Sequence, residues 1–323
     1  MFRWRRFFGR RIRGAALAAA MGLPLAGLAC HAQPPAQQSR QILRVGTAFG
    51  PLTEPLTQEY RQTFPNVDVQ SVPAPNSIDV IHAIQKGTAD FGVAFSNDTY
   101  AGYWSKDQGA ASRAVRGVAL LQPLSQYLLV RGRSGIHEVK DLRGRVVGIG
   151  PKDSSSSIVG RLVLEAFDLN PLTIKVISTR AAAAEALINR TVDAVILPGY
   201  VYPDEVMSSA IKDGAYFVPI AGPAVDRLRE THPFVRVTAI PRNVIAGQTS
   251  VIPTIGVDMV VVCAGDLDEA LVYELTKQLF IAFPRLSGVE AGLRFLNAEE
   301  AAATPIPLHP GAARYFRERE LSR

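Results

Sequence analysis

The chain has 323 residues and is 47% hydrophobic, long enough to bury a large core and to divide into about two domains. Its 35 basic and 29 acidic side chains suggest a basic protein. However, Arg3, Arg5, Arg6, Arg10, Arg11 and Arg13 all precede residue 33, and residues 1–32 hold no acid, so 29 bases face 29 acids in the remainder. A nearly neutral body gives no electrostatic footprint for nucleic acid, and no nucleic-acid partner is expected.

Residues 1–32 have the three parts of a secretory signal peptide: an arginine-rich start, an uncharged apolar run from Gly14 to Ala29, and small residues around a cleavage point. The run is too short to be a comfortable transmembrane helix. The protein is therefore expected to be exported to the periplasm. WRRFFGR resembles a twin-arginine signal, and LAGLAC offers Cys30 as a lipid anchor, although Gly27 replaces the usual leucine of that motif. Only Cys263 remains in the body of the chain, which excludes an internal disulfide there; its apolar surroundings predict a buried thiol.

After a Pro/Gln/Ser linker over residues 33–41, strand and helix patterns alternate. Ile42 to Val45 reads as a strand, Thr53 to Thr63 as a helix, Val67 to Val72 as a strand and Ser77 to Gln85 as a helix. Phe91 to Phe95 is a strand, Asp98 to Trp104 a helix and Val115 to Leu121 a strand. A second set opens with a strand at Tyr127 to Arg131 and contains a strand starting at Val146 with a serine loop after it. It continues with strands at Ile174 to Ile177 and Ala194 to Leu197, separated by a helix from Ala181 to Ile188. A weaker helix follows at Asp204 to Ile211, then strands at Tyr216 to Ile220, Val235 to Ile240 and Val257 to Val262. Helices at Asp266 to Phe283 and Gly311 to Glu320 finish the chain. Such alternation predicts an α/β fold with helices covering a parallel or mixed sheet.

The run VVGIGPKDSSSSIVGR, Val146 to Arg161, joins a strand to a helix through four serines. Backbone N–H groups, hydroxyls and the positive end of a helix dipole meet there, which suits a small anion. The plainer reading is an ordinary N-cap. No G-x-S-x-G elbow accompanies His82, His137, His232 or His309, so a serine hydrolase is a remote alternative and the chain is not expected to be an enzyme. No metal-ligand spacing appears and no cofactor is expected.

Several runs together resemble the TAXI family of solute-binding proteins, which serve TRAP transporters. These are LRVGTAFG at Leu43 to Gly50, GTADFGVAFSND at Gly87 to Asp98, LLVRGRSGIHEVKDLRGRVVGIGPKDSSSS at Leu128 to Ser157, and later AGQTSVIPTIGV, LVYELTKQLF and LHPGAARYF. The resemblance implies a two-lobed Venus-flytrap fold of the periplasmic-binding-protein type II class, with the chain crossing between lobes. Residues 42–124 with 246–323 would form one lobe and 125–245 the other. It implies a small-molecule solute, an organic acid or amino-acid-like compound, and membrane TRAP transporter subunits as partners. A binding protein for an ABC importer, or one presenting its ligand to a membrane sensor, is the alternative. In such folds the loops after the strands face the cleft. The expected ligand-binding residues are Thr47, Ala48, Phe49, Asn76, Ser77, Ser96, Asn97, Tyr127, Ser154, Ser155, Ser156, Ser157 and Gly199. Asp153 and Ser155 stand where the family has glycines. Asp153 either points into the cleft and alters the ligand charge accepted, or caps the helix.

Overall fold

The computed structural model describes residues 40–104, 114–169, 173–199, 205–244, 247–289 and 298–322. The signal-peptide features and Cys30 lie outside the described residues.

The elements are β1 (Gln41–Thr47), α1 (Gly50–Thr63), β2 (Val67–Pro73), α2 (Ser77–Gln85), β3 (Phe91–Phe95), α3 (Ser96–Trp104) and β4 (Val115–Val130). After a short 3-10 turn at Val139–Leu142 come β5 (Val146–Ile149), α4 (Ser155–Ala166), β6 (Thr173–Val176), α5 (Arg180–Ile188) and β7 (Ala194–Gly199). The rest are α6 (Glu205–Lys212), β8 (Tyr216–Val218), α7 (Pro223–Thr231), β9 (Arg236–Ile240), β10 (Ile252–Ala264), α8 (Glu269–Val289) and α9 (Pro310–Leu321).

One mixed sheet runs in the order β2-β1-β3-β10-β4-β7-β5-β6, with β8 beside β4 and β9 beside β10. Its two outer blocks are parallel: β1 with β2 and β3, and β5 with β6 and β7. Between them β10 and β4 run antiparallel to each other and to the flanking strands. β4 changes partner along its length, pairing with β10 from Val115 to Ser125 and with β7 from Ser125 to Val130.

Side chains alternate across this sheet. On β10, Ile255, Val257, Met259, Val261 and Cys263 enter the large core covered by α1, α8, α9, α4 and α7, while Val260, Val262 and Ala264 face the cluster under α2 and α3. Tyr127 and Leu129 of β4 enter a third cluster under α5 and α6.

Each parallel block is pinned by an aspartate just before its inner strand. Asp90 takes a bidentate bond from Arg44 at 2.8 and 2.9 Å and also accepts from the Arg44 backbone. Asp193 accepts from Arg131 at 3.0 Å and from the Val146 backbone at 2.9 Å. Charge-assisted bonds to both side chain and ladder backbone fix the register of neighbouring strands.

Two expectations need correction. The stretches Val115 to Leu121 and Tyr127 to Arg131 are parts of one 16-residue strand. Its middle, QPLSQ, reads as a break because proline donates no ladder bond; here Pro123 sits opposite Asp258, next to a register irregularity, where that loss is tolerated. The helix α7 was not expected, since PAVDRLRET is dominated by charge. Only Ala224, Val225 and Leu228 of it are buried, behind Gly222 at φ 97° and a proline in the first turn.

Gly199 ends β7 against the ring of Tyr127, and a Cβ there would overlap the ring edge. Tyr127 is fully buried and packed on Phe217 at 5.0 Å, so it has nowhere to go. Gly199→Ala is expected to lower stability by about 1–3 kcal/mol in urea unfolding, the usual cost of overpacking. An unchanged midpoint would show that the ring relocates.

Candidate functional site

The strand directions bring the carboxyl ends of both parallel blocks to one place. β3 ends at Phe95 opposite Met259 of β10, and β7 ends at Gly199 opposite Ser125 of β4. The two sets of strand-to-helix loops therefore face each other across the middle of β4, between Gln122 and Tyr127. In open α/β sheets ligands bind outside strand carboxyl ends.

A chain of polar contacts crosses this junction. Ser155 at the start of α4 donates to Asn97 Oδ1 at 2.5 Å, and Asn97 Nδ2 donates to Asp98 at 2.8 Å. Ser77, the first residue of α2, accepts from the Phe95 backbone at 2.7 Å. Burial pushes the Asp98 carboxyl above its ordinary range, while the Ser77 hydroxyl and the Asn97 amide pull it down. Ser96 donates to the Phe234 carbonyl and accepts from the Asp258 backbone, both at 3.1 Å. Phe49 stacks edge-on against Phe95 with centroids 4.9 Å apart. Of the expected site residues, Phe49, Ser77, Ser96, Asn97 and Ser155 thus gather from three strand-to-helix loops and α4.

The others are turned to different tasks. The Thr47 hydroxyl donates to the Val72 carbonyl on the neighbouring strand, and Ala48 packs toward the cluster under α2. Asn76 precedes α2 and engages Asp79 in a capping box. Ser154 is the N-cap of α4, donating to Pro151 O at 2.6 Å and accepting from Ser157 N at 3.2 Å. Ser156 Oγ lies over Gly150, leaving no room for a side chain there, and Ser157 is buried. Tyr127 and Gly199 meet on the α5/α6 side of the sheet.

Asp153 does not cap the helix. It is exposed at φ 62°, in the left-handed region where glycine is favoured and aspartate tolerated. The Ser154 hydroxyl bonds backbone and the Ser155 hydroxyl bonds Asn97, neither of them a histidine. His309 commits both ring nitrogens to backbone, accepting from Gly311 N–H and contacting Leu267 O, and burial lowers its pKa.

Sequence reasoning overlooked Gln122, Gln126, Arg236 and Asp258. Asp258 lies between two cavities. One of about 260 Å³ is bounded by Ser96, Phe234, Arg229 and Arg236, and another of about 240 Å³ by Gln122, Pro123 and Glu300. Burial pushes the Asp258 carboxyl up to about 6, although Arg236 at 3.6 Å opposes the shift. The adjacency of Ser96 and Asp258 comes from strand pairing and left no local signal.

Two outcomes follow from these assignments. Ser154→Ala is expected to cost about 1 kcal/mol of stability through loss of the N-cap. A much larger loss, or none, in denaturant titration would refute that role. A carboxyl whose pKa is higher folded than unfolded binds more protons in the folded state, so its contribution to stability falls as pH rises from about 4 to about 6. Asp258→Asn is expected to remove that part of the pH dependence; melting curves of both proteins at pH 4 to 7 that run parallel would refute it.

Comparison with known proteins agrees with this architecture. PhnD1 from Prochlorococcus marinus (MIT 9301), solved with methylphosphonate, aligns at a TM-score of 0.52 and 12% identity over 87% of this chain and 99% of its own. XAC2383 from Xanthomonas citri, solved with chloride and with ATP, aligns at 0.50 and 15% identity over 86% and 95%. At such identities the likeness is one of fold: a mixed α/β, two-lobed arrangement of the periplasmic-binding-protein kind. Residues 44–319 match the NMT1-like family, and the chain belongs to that family.

Proposed function

We propose that the chain is an extracytoplasmic solute-binding protein. Residues 42–124 with 246–323 form one lobe and 125–245 the other, and a small organic acid or amino-acid-like compound is held between them. The observation that carries the reading is the meeting of two opposed sets of strand carboxyl ends at the middle of β4, bridged by Ser155 of α4 and Asn97 of α3. Loops so arranged enclose a ligand when the lobes close and release it when β4 and β10 bend. The ligand shifts that equilibrium by its greater affinity for the closed form.

The membrane partner in this reading is a TRAP transporter, on the strength of the ordered TAXI-like runs from LRVGTAFG to LHPGAARYF. An ABC importer would accept the same closed complex, and membership of the NMT1-like family supports that second reading equally. A large permease gene or an ATPase gene beside this one would separate them. Periplasmic location rests on residues 1–32, and among the described residues no helix is long and apolar enough to cross a membrane.

The test is a thermal-shift screen of dicarboxylates, keto acids, amino acids and aromatic acids after any copurified ligand is stripped by unfolding and refolding. A ligand at a hundred times its Kd should add about 2.7 kcal/mol of stability. Ser155→Ala, which removes one bond of the closed form, should weaken that ligand about fivefold, the equivalent of ~1 kcal/mol. Unchanged affinity would remove Ser155 from the closing contact.

A further inference from the structure

Gln122 and Gln126 lie four residues apart on β4 at the junction of the two blocks, 2% and 1% exposed. Gln122 Nε2 donates to Met259 Sδ at 3.1 Å, a weak acceptor, and its Oε1 has no partner among the described residues. Among the described residues Gln126 has no partner for either Nε2 or Oε1, although its backbone is held by the β7 ladder and its carbonyl accepts from Thr254 Oγ1 at 2.5 Å. Buried side-chain amides are nearly always satisfied, and one fixed by its backbone with both ends unpaired calls for an explanation.

The side of the sheet supplies one. Leu124 and Leu128, which flank Gln126 at alternate positions, both enter the large core, whereas Tyr127 and Leu129 face the other way. Gln126 therefore shares the face on which α1 and α4 stand, and Met259, the partner of Gln122, belongs to the same core. The starts of those two helices carry Phe49 and the serine loop. Both amides are thus on the face of the sheet from which those helix starts rise, and Gln122 also bounds the cavity beside Asp258 and Arg236.

We propose that Gln122 and Gln126 are the floor of the ligand site and select a solute presenting an uncharged amide-type group, such as a primary carboxamide, ureido or lactam edge. This rests on the solute-binding reading. Two glutamine oxygens in want of a donor, beside one glutamine N–H in want of an acceptor, match an amide edge. A carboxylate brings no donor, so it could meet only the amide nitrogens and would leave both glutamine oxygens unpaired, and Arg236, which bounds a cavity with Gln122, is already committed to Asp258 and Glu300. An acidic end of the same solute would be left to the helix starts above.

The experiment pairs each carboxylate in the thermal-shift screen with its primary amide, for instance succinate with succinamate and benzoate with benzamide, and measures Kd for every compound that shifts the protein. The amide member should bind at least tenfold more tightly. Gln126→Leu should reduce that preference to under twofold, and without ligand it should melt no lower than wild type because an unsatisfied amide has been removed. Gln126→Met replaces it if leucine fails to pack. Carboxylates binding as well as their amides, an undiminished preference in the variant, or a clearly lower melting temperature without ligand would overturn the inference while leaving solute binding intact. No shift with any compound would overturn both.

Discussion

The antiparallel pairing of β4 with β10 is the contact on which everything else depends. Among the described strands these have 16 and 13 residues, against 3 to 7 for the others, and they lie between the two parallel blocks in the sheet. A strand that pairs with one neighbour over its first half and another over its second belongs to two substructures at once. Where it changes partner, the ladder is interrupted by Pro123 and by a register shift near Asp258. That is also where the loops of both blocks converge, so an interruption of the central ladder coincides with the candidate site.

Polar chemistry is concentrated at this point for a physical reason. Away from it the central strands are continuous apolar runs, such as Val260 to Val262, buried on both faces. At the junction Gln122, Ser125, Gln126, Thr254 and Asp258 replace them, all buried. Some are satisfied locally, as Thr254 is by the Gln126 carbonyl. Asp258 is only partly offset by Arg236, which also pairs with the exposed Glu300. A core evolved for stability alone would fill these positions with aliphatic side chains, and the protein tolerates the cost of not doing so.

The elements with strong local signals were legible in the sequence. Ser77 to Gln85 and Phe91 to Phe95 fall where periodicity and turn residues put them, and the serine run does open a helix. Long-range pairing was not legible. Nothing in QPLSQ says that it lies inside a strand, because the tolerance for Pro123 comes from Asp258 across the ladder. The same limit held at the site: Ser155 and Asn97 were marked by residue type and loop position, but Gln126 became notable only once burial showed its amide without partners. Ser154 shows the converse, since a serine at a loop looks the same whether it meets a ligand or caps its own helix.

The place of β10 in the sheet also bears on how the chain acquires its fold. Among the described strands β10 is the last in sequence, yet it sits between β3 and β4, pairing Ala94 on one side and Leu120 on the other with the single residue Val260. The first block has an open edge until the chain has been made past Ala264. Closing it requires contacts between residues very distant in sequence, which is slow. An emerging chain therefore carries an unpaired strand edge for most of its synthesis, a template for pairing with other chains until β10 arrives to cover it.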